Sequence, residues 1–193
     1  MLNKPAGLLA VPGRGADKQD CAASRVQAGF ADALIVHRLD MATSGLLLFA
    51  RGATMQRQLS CLFSQRQVVK RYLAIVSGCL KNPQGEIDLP LNRDWPNRPR
   101  QKVDLETGKS SLTRYRVLAY EASTDTTRLE LMPVTGRTHQ LRVHMAAIGH
   151  PIIGDALYGA EYPKQRLLLH ASALSFSHPY SAETLSLVSE APF

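Results

Sequence analysis

The chain has no apolar run approaching the roughly 20 residues of a membrane-spanning helix, and no secretory signal is legible at its start. A cytoplasmic protein is therefore expected. Cysteine is scarce: Cys21, Cys61 and Cys79 are scattered without a C-x-x-C pair, which argues against a disulfide scaffold and for reduced thiols. That scatter also argues against zinc, as do His139 and His144, which lie five apart and off the spacing of H-E-x-x-H. Neither G-x-x-x-x-G-K-S/T nor G-x-G-x-x-G occurs, so neither metal nor cofactor is expected. Repeats, low-complexity tracts and long linkers are missing too. The sharpest absence is acid: no Asp or Glu falls between Met41 and Gly85, where Arg51, Arg57, Arg66, Lys70, Arg71 and Lys81 all lie.

What is present is ordinary in bulk and unusual in charge. At 193 residues, 45% hydrophobic and 20% charged, the chain reads as one domain (1–193) with a proper core, and a monomer is the default. The net charge of +7 is that of a protein with a polyanionic partner. A second basic cluster, Arg93, Arg98, Arg100 and Lys102, falls in a proline-rich stretch too irregular for strand or helix. Basic side chains on a loop are placed to grip a phosphate backbone.

Periodicity supplies the elements. Residues 53–64 read as a helix, with Met55, Leu59, Leu62 and Phe63 on one stripe and Thr54 as its cap. Strands are expected over 68–76, 112–120, 128–132 and 167–176, with Ser123-Thr124-Asp125 turning between the second and third. On the first, Lys70 and Tyr72 share one face, and Leu73 and Ile75 the other. Residues 139–148 form a helix stopped by Gly149-His150-Pro151. Its buried stripe is Leu141, Met145 and Ile148, with Arg142 rotated off it. Strands dominate and helices come irregularly, which is α+β around a mixed, mainly antiparallel sheet.

His37-Arg38-Leu39-Asp40-Met41-Ala42-Thr43-Ser44-Gly45, followed by Leu46-Leu47-Leu48-Phe49-Ala50, says more than the rest of the chain. Thr43-Ser44-Gly45 is turn chemistry, and the apolar run behind it suits a core strand. An acid at such a junction is held rigidly, as a catalytic group needs. An Asp that only bonds its own turn is the plainer alternative. The string, however, resembles the HRLD-x-x-T-S-G signature of the RluA family of pseudouridine synthases. Asn3-Lys4-Pro5-Ala6-Gly7-Leu8-Leu9, Lys70-Arg71-Tyr72-Leu73-Ala74, residues 136–144 (GRTHQLRVH) and Leu169-His170-Ala171 resemble further family motifs, in the same order. Asp94-Trp95-Pro96-Asn97-Arg98-Pro99 resembles the subgroup that modifies the tRNA anticodon stem-loop and a hairpin of large-subunit ribosomal RNA.

The resemblance implies the pseudouridine synthase fold and the isomerisation of uridine to pseudouridine in RNA, with no cofactor. Asp40 is then the carboxylate that attacks C1′ or takes the C2′ proton; both routes stay open. Arg142 matches the basic residue that pairs with it. Such an Arg within ~4–6 Å lowers an Asp pKa by ~1–3 units. Tyr72 matches the tyrosine that stacks on uracil. Arg38 is placed to enter the gap left by a flipped base, an extrusion that costs least in a loop. Lys70, Arg93, Arg98, Arg100 and Arg137 are the expected RNA contacts. Lys4 and Leu169 shape the pocket, and His139 and His144 are structural. The family also implies a strand ahead of Lys4-Pro5, yet only Met1-Leu2 precede Asn3. Either the numbering begins inside a longer protein, or an edge strand is short or missing; a separate RNA-binding domain is not expected.

Three rivals remain: an inactive RNA-binding relative, a synthase acting on a different uridine, and a sugar or nucleoside hydrolase. The first has no need of an acid facing an anionic ligand. A hydrolase wants a second carboxylate, and Asp88, Asp94 and Asp104 are only distant candidates.

Overall fold

The computed structural model describes residues 1–159 and 166–193. In chain order the elements are β1 (Leu2–Lys4), α1 (Ala22–Gly29), β2 (Ala33–Ile35), β3 (Ser44–Leu47), β4 (Phe49–Arg51) and α2 (Gly52–Ser64). Then come β5 (Val69–Ser77), β6 (Gln84–Asp88), β7 (Leu91–Arg93), β8 (Gln101–Val103), β9 (Leu112–Glu121) and β10 (Thr126–Pro133). Last are α3 (Gln140–Ala147), β11 (Leu169–Ser177) and β12 (Thr184–Val188). The chain divides into two compact units, Met1–Lys70 with His170–Pro192, and Arg71–Leu169 with Phe193.

In the first unit β3 is the hub. It pairs antiparallel with β1 and parallel with β11, and β11 in turn pairs antiparallel with β12. A three-residue edge strand that contains Lys4 therefore stands where the sequence left a short or missing one. The apolar run behind the signature is the core: Leu46, Leu48, Ala50, Leu59, Val68, Leu174 and Phe176 are buried together. Met55, Leu62 and Phe63 of α2 pack against them, as the helical stripe requires. The expected Thr54 cap does not form. The helix starts at Gly52, and no side chain caps it. Gly52 makes the entry instead: its φ of 75° turns the chain out of β4, and its N–H donates to the Asp32 carbonyl at 2.9 Å.

In the second unit β5, β10, β9 and β6 form an antiparallel series in that order. Asp125, at φ 48°, closes the expected turn between β9 and β10. The proline-rich stretch is not wholly irregular: β7 and β8 pair antiparallel around it, so that residues 94–100 are a hairpin tip. Strands of three residues are too short to leave a period in the sequence. The two units together carry a mixed, mainly antiparallel α+β architecture.

Candidate active site

Asp40 sits in the loop between β2 and β3, half-buried, with buried Leu39 before it and exposed Arg38 before that. Its carbonyl accepts the Thr43 N–H at 3.1 Å, which closes the turn. Thr43 and Ser44 are buried, and Gly45 takes a φ of 111°. A Cβ there would run into the backbone of Ala171, so only glycine allows β3 to approach β11 this closely. The Ser44 hydroxyl lies 2.9 Å from His170 Nδ1, and His170 Nε2 lies 3.1 Å from the Ser189 hydroxyl. The turn that carries Asp40 is thus fastened to β11 by backbone pairing and by a buried polar chain.

Lys4 supports the same loop. Its side chain is 0% exposed, and its ammonium donates to the carbonyls of Pro5, Leu8 and Met41 at 2.9, 2.7 and 3.1 Å. Burial pushes its pKa down to about 8, with the negative charge of Asp40 opposing that shift. His37 braces the other side. Its Nε2 accepts the Leu48 N–H at 3.0 Å, and its ring stacks on Phe63 with centroids 4.5 Å apart. Burial, helped by the charge of Lys70, pushes its pKa down to about 4, so it is neutral at physiological pH. Lys70 is half-buried, and burial followed by the charge of Arg66 lowers its own pKa.

Tyr72 belongs to the second unit, on β5 opposite Leu131 of β10. It is half-buried, and alternation puts it on the face of Ala74 and Val76, both fully buried. Arg142 corrects the helix reading. It is not rotated off a buried stripe, because the first six residues of α3 are buried on every side while Ile148 is 36% exposed. The polar residues there are satisfied rather than solvated. Gln140 donates to the Leu112 carbonyl and the Thr113 hydroxyl, both at 3.0 Å, and accepts from Thr135 at 2.7 Å. His144 lies 2.9 Å from the Thr113 hydroxyl and 3.0 Å from the Leu89 carbonyl, and burial lowers its pKa. His139 Nδ1 lies 2.8 Å from the Tyr158 hydroxyl. Both histidines therefore have hydrogen-bond partners within the second unit.

Arg142 itself forms a bidentate pair with Asp155, Nε to Oδ2 at 2.8 Å and Nη2 to Oδ1 at 2.7 Å. Both side chains are buried, at 5% and 0% exposure. Asp155 Oδ1 also accepts the backbone N–H groups of Leu157 and Tyr158, and the Tyr158 ring lies 5.2 Å from the guanidinium. The sequence reading missed Asp155. Its one signal was an acid in the glycine-flanked run Gly154-Asp155-Ala156-Leu157-Tyr158-Gly159 after a helix stop.

The remaining basic candidates are dispersed. Arg38 is exposed in the first unit. In the second, Arg93, Arg98 and Arg100 cluster on the β7–β8 hairpin, and exposed Arg137 reaches the Ser110 carbonyl at 3.3 Å before α3. Among the described residues no group of three or more His, Cys, Asp or Glu could hold a metal ion.

A family model described as RNA pseudouridylate synthase matches residues 1–147. The dual-specificity RNA pseudouridine synthase RluA of Pasteurella multocida is 50% identical over 189 residues, covering 96% of this chain and 86% of the relative. Its counterpart in Yersinia pestis is 48% identical over 196 residues, covering 100% and 95%. Among solved structures, human RNA pseudouridylate synthase domain containing 1 superposes with a TM-score of 0.80 at 29% identity, covering 99% of this chain and 79% of that one. The match over most of the chain and the shared architecture place the protein in the RNA pseudouridylate synthase family, among its RluA-type members.

Proposed function

We propose that this protein isomerises a uridine in the tRNA anticodon stem-loop and another in a hairpin of large-subunit ribosomal RNA, with Asp40, Tyr72 and Arg142 as its catalytic residues. The observation that carries the reading is the placement of Asp40 in a turn fastened by backbone hydrogen bonds, in a chain about half identical over nearly its whole length to dual-specificity RNA pseudouridine synthases. The reaction breaks the bond from C1′ to N1, turns the uracil and joins C1′ to C5. The C5 proton is lost to solvent and N1 gains one, so the change is an isomerisation that needs no outside oxidant or group donor. Asp40 supplies the carboxylate, by attack on C1′ or by taking the C2′ proton. Tyr72 gives the uracil a ring to stack on. Arg142 supplies a positive charge that Asp155 fixes in place. Arg38, Lys70, Arg93, Arg98, Arg100 and Arg137 meet the RNA backbone or the gap left by the extruded base. We further propose that the protein works in the cytoplasm as a monomer.

The test is tritium release from RNA labelled at uracil C5, with the tRNA and ribosomal transcripts offered separately. Release from both, abolished by Asp40→Asn while RNA binding persists, is expected. Release from one alone narrows the substrate; release from neither, with salt-sensitive binding retained, overturns the assignment.

A further inference from the structure

The tip of the β7–β8 hairpin carries an exposed indole. Trp95 is 55% exposed, with the guanidinium of Arg98 4.0 Å and that of Arg93 5.6 Å from its ring centroid. An indole left in solvent forgoes the burial that makes aromatic side chains useful to a fold. The tip that carries it is tied by hydrogen bonds. The Asp94 N–H donates to the Arg100 carbonyl at 3.0 Å, and the Arg100 N–H donates to the Asn97 carbonyl at 3.0 Å. The Asn97 amide donates to the Asp94 carboxylate at 2.9 Å. At the hairpin base, Asp104 accepts from Thr107 and Asn92, and Gln101 donates its N–H to the Tyr158 hydroxyl at 2.7 Å. That hydroxyl belongs to the residue whose ring lies beside Arg142.

Charge supplies the second half of the argument. Among the described residues, no carboxylate forms an ion pair with Arg93, Arg98 or Arg100. The acid nearest in sequence, Asp94, has its carboxylate engaged by Asn97. An exposed aromatic face beside two guanidinium groups, with exposed Arg100 on the same hairpin tip, suits a partner that is both planar and anionic. An acidic peptide would satisfy the charges and leave the ring unused; heparin-like polyanions would do the same. An unpaired nucleotide satisfies both, because each base has a π-face and each linkage a phosphate. Bases inside a duplex are already stacked and cannot join it.

We infer that Trp95 is a stacking platform for an unpaired base of the RNA substrate, with Arg93, Arg98 and Arg100 gripping the neighbouring phosphates. The inference rests on the RNA-modifying function proposed above and adds a residue that reads loop against duplex. The base joins the indole–guanidinium stack, and the short path through Gln101 and Tyr158 ties this grip to the segment that holds Arg142.

Trp95 is the one tryptophan of the chain, so its own fluorescence reports the contact. Wild type is titrated with an anticodon stem-loop transcript, the ribosomal hairpin transcript, a fully paired duplex of the same stem, and heparin. Binding is followed in parallel by anisotropy of labelled RNA, and activity by tritium release. Hairpin binding should quench Trp95, while duplex and heparin bind with little quenching. Trp95→Ala should weaken hairpin binding roughly 5- to 150-fold, the loss of one stacked base, and leave duplex binding unchanged; Trp95→Phe should recover most of it. Unquenched Trp95 at hairpin saturation, or equal weakening for hairpin and duplex, overturns the inference. If wild type releases tritium with Trp95 unquenched, only the stacking role falls. If it is quenched yet inactive, stacking stands and the catalytic reading falls; if it neither binds nor modifies either hairpin, both fall.

Discussion

Replacing Asp155 by Asn tests whether Arg142 is held by a buried counter-charge. The change preserves shape: the amide oxygen can still accept from Leu157 and Tyr158, as Oδ1 does now at 2.9 and 3.2 Å. It removes the negative charge from a bidentate pair whose members are 5% and 0% exposed. It also points an NH2 at Arg142 Nε, which now donates to Oδ2 at 2.8 Å. Breaking a buried pair from one side costs about 3–5 kcal/mol, because the remaining charge has lost its compensation. For a chain of this size that lowers the thermal midpoint by roughly 6–20 °C. Urea unfolding of wild type, Asp155→Asn, Arg142→Met and the double variant closes a thermodynamic cycle, in which contacting residues couple by ~0.5–3 kcal/mol. We expect a coupling above ~2 kcal/mol, with the double variant more stable than the sum of the singles requires. Additive single effects, or an Asp155→Asn variant within ~1 kcal/mol of wild type, would refute the reasoning. Tritium release adds a second readout: an Arg142 that is both structural and catalytic loses turnover in Asp155→Asn under conditions where the variant remains folded.

The same helix marks where the sequence was legible and where it was not. Its ends were readable, because His139 and Gly149-His150-Pro151 act locally. Its faces were not. Apolar periodicity rotates Arg142 off the buried stripe, yet it is buried together with Gln140 and His144, because Thr113, Leu112, Leu89 and Asp155 meet their polar atoms. Those partners lie at least 13 residues away, and no window along the chain can show them. The α2 stripe was legible for the converse reason: Leu59 lies in the apolar core cluster and Met55, Leu62 and Phe63 pack against it, so their spacing alone predicts the face that is covered. The turn at Asp40 was legible as a motif, but what fixes it was not. Lys4 lies near one end of the chain, and His170 with the Ala171 backbone that Gly45 approaches lies near the other, so no window around the motif contains them.

Two further predictions bear on that turn. Gly45→Ala should destabilise the protein by more than ~2 kcal/mol, since a φ of 111° is strained for any side chain and the new Cβ meets the Ala171 backbone; an unchanged urea midpoint would sink this account of β3 against β11. His37 predicts acid sensitivity. Its pKa is about 4 in the folded protein and 6.5 unfolded, so the unfolded chain binds the extra proton between those values and stability must fall as pH drops from 6.5 towards 4. At pH 5 the loss from this group is about 2 kcal/mol. His144, whose pKa burial also lowers, adds loss of the same sign. His37→Gln keeps an acceptor for the Leu48 N–H, now 3.0 Å from Nε2, but cannot be protonated there. Urea unfolding at pH 7.5 and pH 5 should therefore show a smaller difference in His37→Gln than in wild type. Equal pH dependence in the two proteins would mean that His37 already exchanges its proton with solvent in the folded state, and that the wall it forms against Phe63 is open to water.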